Sequence, residues 1–210
     1  MPKEFSVLVA SRNAPDADKY AFDAAIENKM LDMIQMFVVD VDIADKDMND
    51  GASSVISYGQ QFADDEVCAV VRFLLACGAT VPRAALRSVT SRQLQCLLVA
   101  AGLMDRNSFK QSPQGLLRDD DIKEARDELE FEKRSLVIER ALPMCIGLQS
   151  LEFPAYVTLQ ILDQFLPRRL RNICTMHFKW EVITAVKHFH ERRQQQEQQQ
   201  QQKKKRKIKQ

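Results

Sequence analysis

The side chains that most often perform acid–base or metal chemistry are few in this chain, and they are poorly spaced for it. All three histidines, His177, His188 and His190, fall in the last predicted helix. His188 and His190 are two positions apart, so in a straight helix their side chains project about 200° from each other. They cannot share a metal ion, and we predict no metal site.

Motifs for covalent catalysis and for phosphate binding are also absent from the sequence. It has no G-x-S-x-G, no H-E-x-x-H and no glycine-rich phosphate loop, and its six glycines leave little room for one. The five cysteines form no C-x-x-C pair, which predicts reduced core thiols rather than a zinc site or a disulfide framework. We therefore expect no catalytic activity and no cofactor, and we predict that the single tryptophan, Trp180, anchors the core.

Charge is divided unevenly along the chain. The net charge is +1, but residues 192–210 hold eight basic residues and one glutamate, whereas residues 1–191 hold 22 basic and 28 acidic residues. An acidic body argues against nucleic-acid binding by the folded part, which would need a concentrated basic face. Arg72 interrupts the longest apolar stretch, well short of the roughly 18 to 20 residues that span a bilayer. We expect an intracellular protein with no membrane partner.

The helices that must carry these residues follow a repeated pattern. MIQMF (residues 33–37) and VVRFL (residues 70–74) share the order apolar-apolar-polar-apolar-apolar, at a step of 37 residues. A predicted first helix precedes each of them, at residues 20–29 and 53–62. Asn49-Asp50-Gly51 predicts a tight turn before the second of these first helices.

Two apolar runs end in the same way, at a glycine. FLLACGAT (residues 73–80) ends at Gly78-Ala79, and LLVAAGL (residues 97–103) ends at Gly102. Glycine is strongly favoured after a helix cap because it adopts the left-handed conformation there without strain. The second run follows the first by only 23 residues, so its own first helix must be short, at about residues 83–90.

These segments resemble degenerate ankyrin repeats over residues 5–107. The segments are AAIENKMLDMIQMF, DGASSVISYGQQ with VVRFLLACGATV, and RQLQCLLVAAGL. In the second of them, Asp50-Gly51, Leu74-Leu75 and Gly78-Ala79 follow the family's order of Asp-Gly turn, first helix, second helix with Leu-Leu, and Gly-Ala stop. The family's Thr-Pro-Leu-His motif is absent, the second unit is about four residues too long, and the third is shorter than the usual period of about 33. A plain helical bundle is the alternative.

The resemblance implies a protein-binding surface made of turn tips and first helices. An acidic tip would favour a basic partner. The residues predicted to contact a protein partner are Asp45, Asp47, Asn49 and Asp50 at one tip, Arg83 at the next tip, and Tyr58 and Gln61 on the groove.

The polar loop at residues 107–118 predicts a domain boundary. Asp119-Asp120-Asp121 opens a helix, since carboxylates there oppose the positive end of the helix dipole. Pro143 is expected to end or kink that helix. Residues 119–193 form the predicted helical C-terminal module.

Part of this module resembles an F-box, in the segment FPAYVTLQILDQFLPRRLRNICTMHFKW. The resemblance implies docking onto the Skp adaptor of a cullin-based ubiquitin ligase. Phe153 replaces the family's opening Leu, and His177 stands where the family often has Cys. Two helices that simply close the end of the solenoid are the alternative. The implied docking residues are Pro154, Ile161, Leu162, Phe165, Leu170 and Trp180.

The tail, residues 194–210, is a glutamine tract followed by a basic cluster, and we predict that it is disordered. The cluster resembles a nuclear-import signal, which implies an importin as partner and a nuclear or cytoplasmic location. By charge alone it would equally contact RNA or an acidic protein. The cluster consists of Lys203, Lys204, Lys205, Arg206 and Lys207.

Taken together, the sequence predicts an all-α fold: a short, irregular ankyrin-like helical solenoid, a helical C-terminal module and a disordered tail. The predicted function is protein–protein interaction without catalysis. Two alternatives stay open. One is a substrate adaptor of a cullin-based ubiquitin ligase, and the other is a nuclear nucleic-acid-associated factor that acts through the basic tail.

Overall fold

Helices account for all the regular secondary structure in the part of the chain that the computed structural model describes. That part comprises residues 17–58, 65–86, 89–109, 116–150, 154–174 and 176–208, and it contains ten α-helices and no strand. The predicted all-α fold class is confirmed.

The N-terminal helices are α1 (Ala17–Glu27), α2 (Leu31–Gln35), a π-helix (Met36–Asp40), α3 (Asp45–Tyr58), α4 (Asp65–Ala76), α5 (Arg83–Leu86), α6 (Arg92–Ala100) and a 3₁₀-helix (Arg106–Phe109). The C-terminal helices are α7 (Asp119–Ser150), α8 (Ala155–Phe165), α9 (Arg168–Ile173) and α10 (Met176–Ile208). None of the described helices is both long and apolar enough to cross a membrane.

Two compact units share these helices. The first comprises Met1–Arg134 and Pro167–Ile173, and the second comprises Ser135–Leu166 and Cys174–Gln210. The division falls inside α7 instead of in the loop at residues 107–118 that the sequence indicated. Helix α9, which the sequence did not predict, belongs to the first unit.

In the first unit, helices α1 to α6 form three consecutive pairs, and each pair has a first helix and a second helix. The first helices α1, α3 and α5 pack in sequence, α1 on α3 and α3 on α5. The second helices α2, α4 and α6 do the same, α2 on α4 and α4 on α6. Helix α4 is central to the second row, which explains why it buries eight of its residues.

Helices α4 and α6 end in the same left-handed cap. Gly78 has φ +90°, its N–H donates to Leu75 O at 3.0 Å, and the N–H of Ala79 donates to Leu74 O at 2.9 Å. Gly102, with φ +74°, repeats this arrangement after α6. The prediction that Gly78 is required by backbone geometry is confirmed, and LLVAAGL stops for the same reason.

The tight turn predicted at Asn49-Asp50-Gly51 is wrong, because α3 runs without a break through these residues. Gly51 is buried against α1, and a Cβ added there would lie 2.8 Å from Cε1 of Phe22. This glycine therefore allows two helices to approach closely and does not form a turn. Buried Met48, Ala52 and Val55 provide the apolar face that makes the segment helical.

Two predictions about the C-terminal helices also differ from the structure. Pro143 was expected to end or kink helix α7, and the helix does not end there but continues to Ser150. Helix α10 continues to Ile208 through most of the tail, residues 194–210, that was predicted to be disordered. Gln, Glu, Lys and Arg are good helix formers, and extending an existing helix avoids the cost of nucleating a new one. Helix α8 begins at Ala155, directly after its N-cap residue Pro154.

Candidate functional site

Two neighbouring clefts lie in the first unit where the loops that follow second helices meet first helices. The first cleft, of about 480 Å³, is lined by Lys46, Asn49 and Asp50 of α3 and by Thr80, Val81 and Pro82 of the loop after α4. The second, of about 440 Å³, is lined by Arg83 of α5 and by Leu103, Met104, Asp105, Ser108 and Phe109 that follow α6.

The clefts occupy equivalent positions in consecutive helix pairs. Each lies between a first helix and the loop that leaves the next glycine-capped second helix. Pro82 lines the first cleft and Arg83 the second, so the two are adjacent along the chain. We call the two clefts together, with all the residues that line either of them, the loop-side groove.

Local hydrogen bonding fixes the walls of the first cleft. The left-handed cap at Gly78 turns the chain out of α4. The N–H of Thr80 then donates to Oδ1 of Asn49 at 2.7 Å, which ties the loop to α3. One wall is therefore held by a side-chain contact between residues 31 positions apart in sequence.

Carboxylates crowd the first-helix surface beside this cleft. Burial raises the pKa of Asp23, and the nearby charges of Asp47, Glu27 and Asp50 raise it further. Lys19 is the cation among them, and its Nζ lies 3.4 Å from Oδ1 of Asp47. Its own pKa is raised, chiefly by the hydrogen bond to Asp47. This side of the groove is acidic.

The residues predicted for the acidic tip have different roles. Asn49 and Asp50 line the first cleft, and Asp47 pairs with Lys19. Asp45 instead accepts a hydrogen bond from Nη1 of Arg169 at 2.7 Å and so holds α9. The structure therefore divides the predicted set between a cleft and two intramolecular ion pairs.

The other predicted contact residues are placed as follows. Arg83 is exposed and lines the second cleft. Tyr58 is 68 % exposed at the end of α3. Gln61 lies outside the described residues. The groove residues that the sequence did not predict are Lys46, Thr80, Val81, Pro82, Leu103, Met104, Asp105, Ser108 and Phe109. For all of these except Lys46, the signal in the sequence was a position shortly after one of the two glycine stops.

An ion-pair cluster anchors α9 within the first unit. Arg169 is only 4 % exposed, donates to Ile43 O, and places Nε 3.3 Å from Oδ1 of Asp42. Arg168 adds a contact between its Nε and Oδ2 of Asp42 at 3.1 Å. Asp42 adopts φ 55°, a left-handed conformation that is unusual for a residue other than glycine.

The F-box-like residues are not all in one unit. Leu162 is buried in the second unit, whereas Leu170 is buried in the first. Phe165 is 69 % and Trp180 is 53 % exposed, so the prediction that Trp180 anchors the core is wrong. Pro154 is the N-cap of α8, and Ile161 is half-buried. Residues 203–207 lie in the last turns of α10, and their side chains are outside the description.

All five cysteine side chains are buried, and none forms a disulfide. Burial raises the pKa of Cys77 to about 12 and that of Cys145 to about 11. Both thiols are therefore protonated at neutral pH and are poor nucleophiles. Among the described residues, no group of three or more His, Cys, Asp or Glu side chains is arranged to hold a metal ion.

Comparison with protein-family models, with curated proteins and with solved structures finds no match to this chain.

Proposed function

We propose that this protein is a non-catalytic protein-binding module whose first unit presents the loop-side groove to a protein partner. The observation that carries the proposal is the repetition of a cleft at equivalent positions of two consecutive helix pairs. Repeated clefts along one edge form an extended surface, which suits a polypeptide better than a small molecule. Both clefts also mix apolar and charged lining residues, as protein interfaces do.

An ankyrin-type origin of this surface is part of the proposal. Three features support it: the alternation of first and second helices, the packing of like helices in two rows, and the glycine caps after α4 and α6. In the ankyrin family, the loops between repeats and the first helices form the binding surface, and the groove is built from the same two kinds of element.

The test is capture of proteins cross-linked to the intact chain, followed by measurement of binding to variants. Asp50→Lys combined with Arg83→Glu should weaken binding to the captured partner by about tenfold or more, because it reverses one charge in each cleft. Asp127→Lys, a charge reversal at an exposed position of α7, is the matched control. Unchanged binding by the double variant, with its circular dichroism preserved, would reject the groove.

A second candidate function is supported by a separate observation. Phe165 and Trp180 are large apolar side chains on the surface of the second unit, and aromatic residues are enriched at protein interfaces. We propose as the alternative that the F-box-like segment, of which Leu162, Phe165 and Trp180 lie in this unit, recruits a cullin-based ubiquitin ligase.

Affinity capture distinguishes the two candidates. If the ligase-adaptor proposal holds, a cullin complex co-purifies with the intact chain and is lost on Phe165→Ala with Trp180→Ala. Tyr156→Ala, which removes an aromatic ring that is equally exposed on α8, should retain it. Absence of any cullin from the captured proteins would reject the ligase-adaptor proposal, and the groove-based function would be the one that remains.

A further inference from the structure

We infer that the loop-side groove selects an extended protein segment in which a basic side chain sits against Asp50 and a large apolar side chain sits on Leu103, Met104 and Phe109. This inference rests on the proposed function and specifies the partner that it would bind. The proposed occupant of the groove is a segment of another protein, and binding of a second copy of this chain is one of the outcomes tested below.

The first cleft favours a cation because of the charges beside it. Asp50 lines the cleft and is also one of the three carboxylates, with Asp23 and Asp47, whose charges act on Lys19. Lys46 on the cleft rim reduces this negative charge but does not cancel it. The pKa of Asp23 is raised mainly by burial and further by like charges, so an added cation nearby would relieve repulsion.

The second cleft favours an apolar side chain because of its lining. Leu103 and Met104 are half-buried, and Phe109, which lines the same cleft, is buried. Methionine adapts its shape to different apolar ligands. Asp105 accepts a hydrogen bond from the N–H of Asn107 at 2.8 Å, which occupies one of its oxygens. Arg83 on the rim would repel a second cation.

The distance between the clefts sets the spacing in the bound segment. Helices α3 and α5 pack on each other, and packed helices are about 8 to 10 Å apart. An extended chain advances about 3.3 Å per residue. The basic and the apolar side chain should therefore be roughly two to four residues apart.

The experiment is selection of a random linear peptide library against the intact chain, with affinities measured for the enriched peptides. We expect a basic residue and a large apolar residue at that spacing. Asp50→Lys should weaken the selected peptides by about tenfold, and Lys46→Glu should strengthen them. Met104→Asp should weaken them as well, whereas Asp127→Lys should not.

Several results would overturn the inference. If substitution of Arg83 or Met104 changes the affinity of the peptides and Asp50→Lys does not, the basic side chain is not part of what the groove recognises. The proposed function would then still stand. Peptides that respond to none of the groove variants would reject the groove itself. Self-association that increases with concentration, and that is abolished by Asp50→Lys or by deletion of residues 203–210, would assign the groove to the basic tail of a second copy.

Discussion

Gly51 and Gly78 show how the same residue type meets two different physical requirements. Gly78 is exposed, and a Cβ there would have no atom within 4 Å, so only its left-handed backbone requires glycine. Gly51 lies in a regular helix, and an atom of the Phe22 ring lies only 2.8 Å from the position that a Cβ would take. Phe22 itself is fully buried and packs edge-to-face on Phe37, with ring centroids 6.3 Å apart.

Gly51→Ala should therefore destabilise the protein, although alanine is the better helix former. The gain in helix propensity is about 1 kcal/mol, and the overpacking cost of about 1 to 3 kcal/mol exceeds it. Gly147→Ala in α7 is the control, since nothing lies within 4 Å of its Cβ position, and it should stabilise. Urea unfolding followed by circular dichroism measures both. If Gly51→Ala were instead stabilising, α1 and α3 would have to lie farther apart than the structure places them.

Lys29 occupies the cap position after α1 that glycine occupies after α4 and α6. It has φ 53°, its N–H donates to Ile26 O at 3.1 Å, and the N–H of Met30 donates to Ala25 O at 2.9 Å. Left-handed geometry costs a residue with a Cβ about 1 kcal/mol. Lys29→Gly should be more stable than Lys29→Ala by about that amount in urea unfolding. Equal stabilities would contradict the cap assignment.

At the scale of elements, α9 depends on one buried arginine. Arg169 forms its contacts with Asp42, Ile43 and Asp45, all at the junction between the π-helix and α3. Arg169→Ala should cost about 2 kcal/mol, because hydrogen bonds to charged groups are lost. Arg169→Lys should recover little of it, since an ammonium cannot reproduce the planar fork. Arg168 is half-exposed, so Arg168→Ala should cost less than about 1 kcal/mol.

Urea unfolding of these three variants checks the ranking. Hydrogen exchange of the amides in the π-helix gives a second readout, because α9 packs on that segment. Exchange there should accelerate in Arg169→Ala more than in Arg168→Ala. Equal effects of the two alanine substitutions would mean that the buried guanidinium is not the main anchor.

Element-level prediction succeeded where the signal is local. The glycine stops after α4 and α6 and the apolar run of α4 can each be identified within a few residues. The role of Gly51 could not, because the ring that contacts it is at Phe22, on a different helix. The groove needed the same long-range information, since Asn49 meets Thr80 only after folding. Asp50 and Arg83 were nonetheless among the predicted contacts.

At the scale of the whole molecule, buried thiols couple stability to alkaline pH. Burial raises the pKa of Cys77 in the first unit to about 12 and that of Cys145 in the second to about 11. The unfolded chain loses these protons near pH 9, whereas the native state keeps them. The stabilisation is therefore complete below that pH and decreases as the pH rises towards the native pKa values.

The urea midpoint should consequently fall between about pH 9 and pH 10.5 more steeply in the intact protein than in Cys77→Ala or Cys145→Ala. Lysines and tyrosines titrate in the same range, so the comparison with each variant isolates the contribution of the thiol. Identical slopes would mean that the thiols are not protected in the native state.

The course of the chain between the two units has a consequence for dissecting the protein. The chain passes from one unit to the other after Arg134, after Leu166 and after Ile173. No single cleavage or deletion can therefore yield two intact units. A fragment ending at residue 134 would lack Arg168 and Arg169 and would leave Asp42 and Asp45 without these contacts. If a C-terminal truncation lost binding, the cause could be damage to the first unit just as well as the loss of a function of the second unit.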